Sequence, residues 1–280
     1  MYKSLNPGAI GVSVPFEEEA RLASKYKFDC LRISSMILQE RGPESVARTL
    51  SEHGLKPGPL DFPVAFRGDE EKFRASLQGL DAIARSAAQL GCRRCATYIS
   101  SWSDERDFAA NFAFHRDRLR PAAEILARHG ISLGLEFLGP KTLRTGHRFE
   151  FIHTMEGMLE LAAAIGTGNV GLLLDCWHLY TSGGTNADIE KLGPDAVVDV
   201  HVNDAPAGIP VDEQIDNVRC LPGETGVIDV PGFLRALKKI GYEGNVTVEP
   251  FSARVRAMPP DEAVRVTAES LHKVWRDAGL

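Results

Sequence analysis

The sequence predicts a (β/α)8 barrel, and three observations carry that prediction. Short β-rich runs alternate with longer amphipathic ones along the whole chain, and the β-rich runs number eight. Several amphipathic runs close on a glycine just before the next β-rich run, in "HGLKP", "LGCRRC", "HGISLGLEF", "IGTGNVGLLLD" and "IGYEGNVTVEP", as tight αβ turns do. No glycine-rich phosphate loop follows the first run, where "SVPFEEEA" stands, and this argues against a doubly wound open sheet.

In chain order, the first strand is expected over Ala9–Pro15, followed by a helix over Glu17–Lys27. The second strand is expected over Phe28–Ser34 with a helix over Glu44–His53, and the third over Leu55–Pro63 with a helix over Glu71–Leu90. Cys95–Ser100 and Ser132–Leu138 are the fourth and fifth strands, leading to helices over Asn111–His129 and Thr154–Ile165. Val170–Cys176, Val197–Asn203 and Asn245–Phe251 complete the eight, with helices over Pro231–Ile240 and Asp261–Asp277. Each helix is drawn where apolar residues recur at three and four, and each strand where β-formers cluster. No Ser/Gly/Pro-rich linker divides these units, so residues 1–280 are expected to form one barrel domain.

A chain of 280 residues with 44% hydrophobic and 25% charged residues can bury a sizeable core. No apolar run is long enough to span a bilayer and no cleavable apolar segment follows Met1, so a soluble, cytoplasmic protein without a membrane partner is expected. A net charge of −6 argues against nucleic acid, whose phosphates need clustered Lys and Arg. The cysteines at 30, 92, 95, 176 and 220 are odd in number and mostly sit in apolar segments, which is no disulfide framework. Cys92 and Cys95 form a CxxC without a second pair or a nearby histidine, and are read as plain thiols.

A barrel gathers its chemistry at the C-terminal ends of its strands. "SLGLEFLGPK" puts Glu136 late in the fifth strand, "VGLLLDCWH" puts Asp175 late in the sixth, "VVDVHVNDAP" puts His201 late in the seventh, and "NVTVEPF" puts Glu249 late in the eighth. Each follows three or four strand residues, so all four side chains are expected at a similar height in the mouth. Taken singly, a strand-end carboxylate is a solvated loop residue or an ion-pair partner. Three carboxylates and an imidazole on four successive strands would repel one another unless a divalent cation joined them, and the oxygen-rich set suits Mn2+, Mg2+ or Co2+. His178, three residues past Asp175, is read as a substrate contact, with a structural imidazole as the alternative.

This constellation resembles the sugar phosphate isomerase/epimerase superfamily, the xylose isomerase-like barrels that include ketose 3-epimerases, hydroxypyruvate isomerase and inosose-processing enzymes. The resemblance implies that Glu136, Asp175, His201 and Glu249 hold one metal ion and that Asp175–His178 is the DxxH whose histidine touches a substrate oxygen. "VRCLPGETGVID" is similar to the family's arginine before a glycine-rich turn, which makes Arg219 a substrate contact. The chain departs from the ketose epimerases at Thr142, where they have a further glutamate. Lys141 and Arg144 in the same loop could meet a more polar, oxidised or phosphorylated group, or be solvated loop cations. "PLDFPVAFRG", after the third strand, is expected to line the site with apolar and aromatic groups. Family members commonly form homodimers or tetramers.

The implied chemistry is proton transfer at carbon beside a carbonyl, with Glu136 and Glu249 as acid and base and the metal stabilising the bound enediolate. Returning the proton to the other face is epimerisation, and returning it to the neighbouring carbon is isomerisation. Losing a β-substituent is dehydration or cleavage, as with an inosose or a 3-keto glycoside. The expected function is therefore a sugar isomerase or epimerase acting on a keto sugar or related polyol ketone. A dehydratase or lyase is the alternative, and a non-catalytic sugar-binding barrel a lesser one.

Overall fold

The computed structural model describes all of residues 1–280. Eight parallel strands close into a barrel: β1 (Tyr2–Leu5), β2 (Cys30–Ile33), β3 (Lys56–Asp61), β4 (Arg94–Ile99), β5 (Ser132–Phe137), β6 (Val170–Asp175), β7 (Val197–Val202) and β8 (Asn245–Val248). They neighbour one another in chain order, and β1 pairs with β8 to close the ring. The apolar runs of β5 to β7 are buried almost throughout, as strands covered on both faces must be. A short antiparallel pair, Trp102–Ser103 with Phe149–Glu150, lies outside the barrel sheet. No helix is long and apolar enough to cross a membrane.

The outer layer includes α1 (Phe16–Lys25), α2 (Ser35–Arg41), α3 (Pro43–Glu52), α4 (Glu70–Leu90), α5 (Phe108–Arg128) and α6 (Met155–Ile165), with α7 (Cys176–Thr181), α8 (Asn186–Ile189), α9 (Val230–Lys239), α10 (Ala253–Arg256) and α11 (Pro260–Asp277) following. Their starts are written in the sequence. Asp69, Asp107, Thr154 and Asp229 each accept a backbone N–H from the first turn of the helix they precede, an N-cap of about 1 kcal/mol.

Seven of the eight expected strands overlap barrel strands; the first does not. β1 is Tyr2–Leu5, and the expected Ala9–Pro15 strand is instead a 3-10 turn over Pro7–Ile10 leading into a loop. The β-branched residues of "AIGVSVP" suggested a strand, but Pro7 starts the turn and Gly11, at φ 75°, ends it. A side chain at Gly11 would press on Arg256. The sixth strand also stops earlier than expected. It turns at Asp175 into α7, because the Asp175 carboxylate caps the turn by accepting Trp177 N–H at 2.7 Å.

Candidate metal centre

The strand ends that carry the site are adjacent in the barrel. Asp175 pairs in register with His201 across β6 and β7, and His201 pairs with Thr247, two residues before Glu249, across β7 and β8. One potential ligand atom from each of Glu136, Asp175, His201 and Glu249 lies within 4.8 Å of every other. His201 Nδ1 is 3.2 Å from Glu249 Oε2 and 3.6 Å from Glu136 Oε1, close enough for charge pairing but off hydrogen-bond geometry. Glu136, Asp175 and His201 are 7%, 0% and 3% exposed.

Burial at such a point sets strong charge preferences. It pushes Glu136 up to about 7, with the Glu249 and Asp175 charges adding and His201 opposing. Burial would raise Glu249 as well, but His201 and Arg219 outweigh it and hold that carboxyl down to about 2. Asp175 is raised by burial against the pull of Arg219, and His201 is raised well above its ordinary value by Glu249 and Glu136 in spite of burial.

The donor set fits a divalent cation. Glu136 Oε1 and both ring nitrogens of His201 are buried without a hydrogen-bond partner, where buried polar groups are nearly always paired. Asp175 is aimed by its neighbours: Oδ1 accepts Trp177 N–H and Asn203 Nδ2 at 3.0 Å, and Oδ2 accepts Arg219 Nη1 at 2.7 Å. Supports of this kind fix the orientation of a metal-binding carboxylate.

Arg219 and His178 stand beside the four. The Arg219 guanidinium also donates to Asp216 Oδ1 at 2.7 Å and lies against the rings of Trp177 and Phe251, 5.3 and 4.9 Å from their centroids. Its pKa is pushed above the ordinary range by Asp175 and Asp216, against burial. Gly139 N–H donates to His178 Nδ1 at 3.2 Å, so the ring carries its proton on Nε2. Only glycine fits there, because a Cβ would collide with His178 O. Burial first, then Arg219 and His201, lowers the His178 pKa well below its usual value and keeps the ring neutral. His178 Nε2 lies 3.2 Å from Arg219 Nη2, within hydrogen-bond distance, so the two groups share one polar edge of the site. A cavity of about 400 Å3 opens onto them, lined by Tyr98, Glu136, His178, Arg219, Glu249 and Phe251.

Two loop cations stay out of this cavity. Lys141 is exposed and donates to Asp212 at 2.7 Å, and Arg144 donates to the carbonyls of Gly139 and Pro140. Thr142, at the position of departure from the ketose epimerases, donates to Gln214 O at 2.7 Å. These contacts tie the loop after β5 to the loop after β7. The expected aromatic lining after β3 is partly core: Phe66 is 1% exposed.

Sequence reasoning missed Asn203, Asp216, Trp177 and Phe251. Phe251 had one visible signal, its place two residues past Glu249. Its backbone, at φ 37°, is a left-handed conformation uncommon for a bulky residue. Asp216 and Asn203 gave none, since their roles depend on contacts with Arg219 and Asp175.

Residues 20–274 match the family described as xylose isomerase-like TIM barrel. An inosose isomerase from Bacillus velezensis is 23% identical over 265 residues, 92% of this chain and 91% of its own length. A 3-dehydroshikimate dehydratase from Pseudomonas aeruginosa is 32% identical over 144 residues, 51% of this chain and 21% of that protein. Among solved structures, the IOLI protein with a bound zinc atom superposes with a TM-score of 0.82 over 99% of both chains at 22% identity, a likeness of fold.

Proposed function

The chain belongs to the xylose isomerase-like TIM barrel family, and on that premise we propose that it is a divalent-metal-dependent isomerase or epimerase of a polyhydroxylated ketone. The observation that carries this reading is the arc of four strand ends, with Glu136 and Glu249 at its two flanks and Asp175 and His201 between them. Glu136, Asp175, His201 and Glu249 would hold the ion, which when bound supplies Lewis-acid stabilisation of negative charge on the ketone oxygen and its neighbouring hydroxyl. Mn2+, Mg2+ and Co2+ suit the oxygen-rich set, and zinc joins them through the IOLI relative.

The remaining steps belong to side chains. Glu249 takes a proton from the carbon beside the carbonyl, and the C–H electron pair passes into the enediolate. The Glu136 carboxyl gives a proton either to the opposite face of that carbon or to the neighbouring one, and solvent resets the pair. His178 Nε2–H and Arg219 Nη2–H, 3.2 Å apart, would share one substrate oxygen as their acceptor. The inosose isomerase relative, spanning nearly the full chain, supports a cyclic polyol ketone as the substrate class. Lys141, 57% exposed and paired with Asp212, has no part in this reading.

The test is turnover in D2O over a panel of ketoses, inososes and 3-keto glycosides with metal-loaded protein. Solvent deuterium should appear on the carbon beside the carbonyl, and product without label would reject proton transfer in favour of a hydride shift. Binding with neither label nor product across the panel would leave a non-catalytic barrel. The dehydratase relative favours a second reading, in which the same enediolate expels a β-hydroxyl. An unsaturated product in place of an inverted or shifted one would establish it.

A further inference from the structure

The other half of the mouth holds a second cavity, of about 310 Å3, at the C-terminal ends of β1, β2 and β3. Its polar lining is Asn6, Glu19, Arg32, Ser34 and Asp61. The register ties it to the metal centre, since β8 pairs Thr247 with Ser4 of β1, and Ser4 pairs with Cys30 of β2. Two residues further along the chain stand Glu249 and Asn6, each just past its strand, and Arg32 within β2, and Asn6 and Arg32 both line the cavity. The Arg32 charge reaches across this row, being one of the groups that hold Glu249 low.

The Arg32 side chain makes no hydrogen bond there, although its charge is felt by the buried Asp199. Its Nη1 is buried without a hydrogen-bond partner. Asp61, in the same cavity, is bonded instead to the backbone and side chain of Ser35, the latter at 2.9 Å. A buried guanidinium donor left open beside a ligand cavity is a group whose acceptor comes from the ligand.

We infer that this cavity is the far half of the substrate site, where Arg32 donates to uncharged ring hydroxyls of a cyclic polyol ketone whose carbonyl end lies at Glu249. The inference rests on the reading of the centre as a ketone isomerase and narrows its substrate class. One cation faces the carboxyls of Glu19 and Asp61, so a phosphate or carboxylate entering here would find no surplus of positive charge. A hydroxyl meets both needs, accepting from Arg32 and donating to a carboxyl. Burial pushes Glu19 up to about 7, which leaves it an uncharged or weakly charged partner for a hydroxyl.

The experiment is calorimetric binding to the Mn2+-loaded protein with three probes, run beside the deuterium assay. The probes are 2-keto-myo-inositol, 2-hydroxycyclohexanone, which keeps the ketone and one neighbouring hydroxyl only, and the carboxylated ketone 3-dehydroshikimate. Wild type should bind the keto-inositol at least tenfold more tightly than either other probe. Arg32→Met should weaken the keto-inositol about tenfold or more, change 2-hydroxycyclohexanone little, and leave metal content unaltered. Glu19→Gln, a second variant that keeps the cavity filled, should weaken the keto-inositol by a smaller factor. Equal keto-inositol binding by Arg32→Met and wild type overturns the inference, as does tighter wild-type binding of 3-dehydroshikimate. Probe discrimination without deuterium exchange would sink the isomerase reading while leaving the polyol subsite standing, so the two failures are distinguishable.

Discussion

On the β5–β8 half of the mouth, Glu136, Asp175 and His201 are at most 7% exposed, and Glu136 Oε1 and both His201 nitrogens have no hydrogen bond. On the β1–β4 half, Asp61 is half-buried and bonded to Ser35, Tyr98 is 48% exposed, and Arg32 Nη1 is the one charged group both buried and open. Burying unpaired polar atoms costs on the order of 1–3 kcal/mol each, more when charged. A fold keeps several of them at one point only where something else completes them. On the proposed reading the β5–β8 half would hold a cation and move protons and the β1–β4 half would grip a ligand, so mutation should separate the two.

The largest effect expected is at the acid–base pair. Glu249→Gln keeps an oxygen for the ion but cannot take a proton, so label incorporation should fall by at least 100-fold with metal content near the wild-type level. Exchange at the wild-type rate would remove Glu249 from the chemistry and break the division drawn above. His201→Ala comes next, because it deletes the ligand whose two nitrogens are otherwise orphaned. Metal analysis should show close to one equivalent per chain in the wild type and little in the variant. At a metal concentration 100 times its dissociation constant, the ion adds about 2.7 kcal/mol, a melting-temperature difference of roughly 5–10 °C that chelation should erase in the wild type only. Unchanged metal content in His201→Ala would sink the site as drawn.

Smaller losses are expected where donors face the ligand rather than the ion. Arg219→Ala and His178→Ala each remove one of two adjacent donors, so turnover should drop roughly 10- to 100-fold while the metal stays bound. An emptied metal site in His178→Ala would make that histidine a ligand.

The same contrast explains what could be read in advance. Glu136, Asp175, His201 and Glu249 were legible because each falls late in a β-rich run, and position along a strand fixes height in a barrel. Arg32 occupies an equivalent place in "FDCLRIS", yet a lone arginine near a strand end carries no such signature, and its meaning came from register with Glu249 and the cavity beside it. The first strand was lost for a different reason. "YKSL" is too short and too polar to advertise itself, while "AIGVSVP" imitates a strand that Pro7 and Gly11 forbid. The pairing of Lys141 with Asp212, seventy-one residues on, was not legible, because loop sequence does not say which way a side chain turns.

The last test is of burial alone, away from both halves of the mouth. His115 in α5 is 5% exposed, donates from Nδ1 to Asn111 O at 2.8 Å, and packs against Phe151 with ring centroids 5.2 Å apart. It is a buried imidazole with its hydrogen bond made, the opposite of His201. Burial lowers its pKa to about 4, with Arg67 and Arg106 adding and the Asn111 bond opposing. A histidine whose folded pKa lies below its unfolded value of about 6.5 binds fewer protons folded than unfolded between those values. Stability is thus fully present above pH 6.5, is lost as pH falls from 6.5 toward 4, and levels off below. The full loss is about 3 kcal/mol. His115→Phe keeps the aromatic packing and cannot titrate, so its unfolding free energy should gain on the wild type by about that amount between pH 7.5 and pH 4. Because the metal-centre groups titrate alike in both proteins, their contribution cancels in the difference. Parallel pH profiles would mean that the His115 pocket admits the proton without cost, and that burial with a made hydrogen bond is not what separates this histidine from His201.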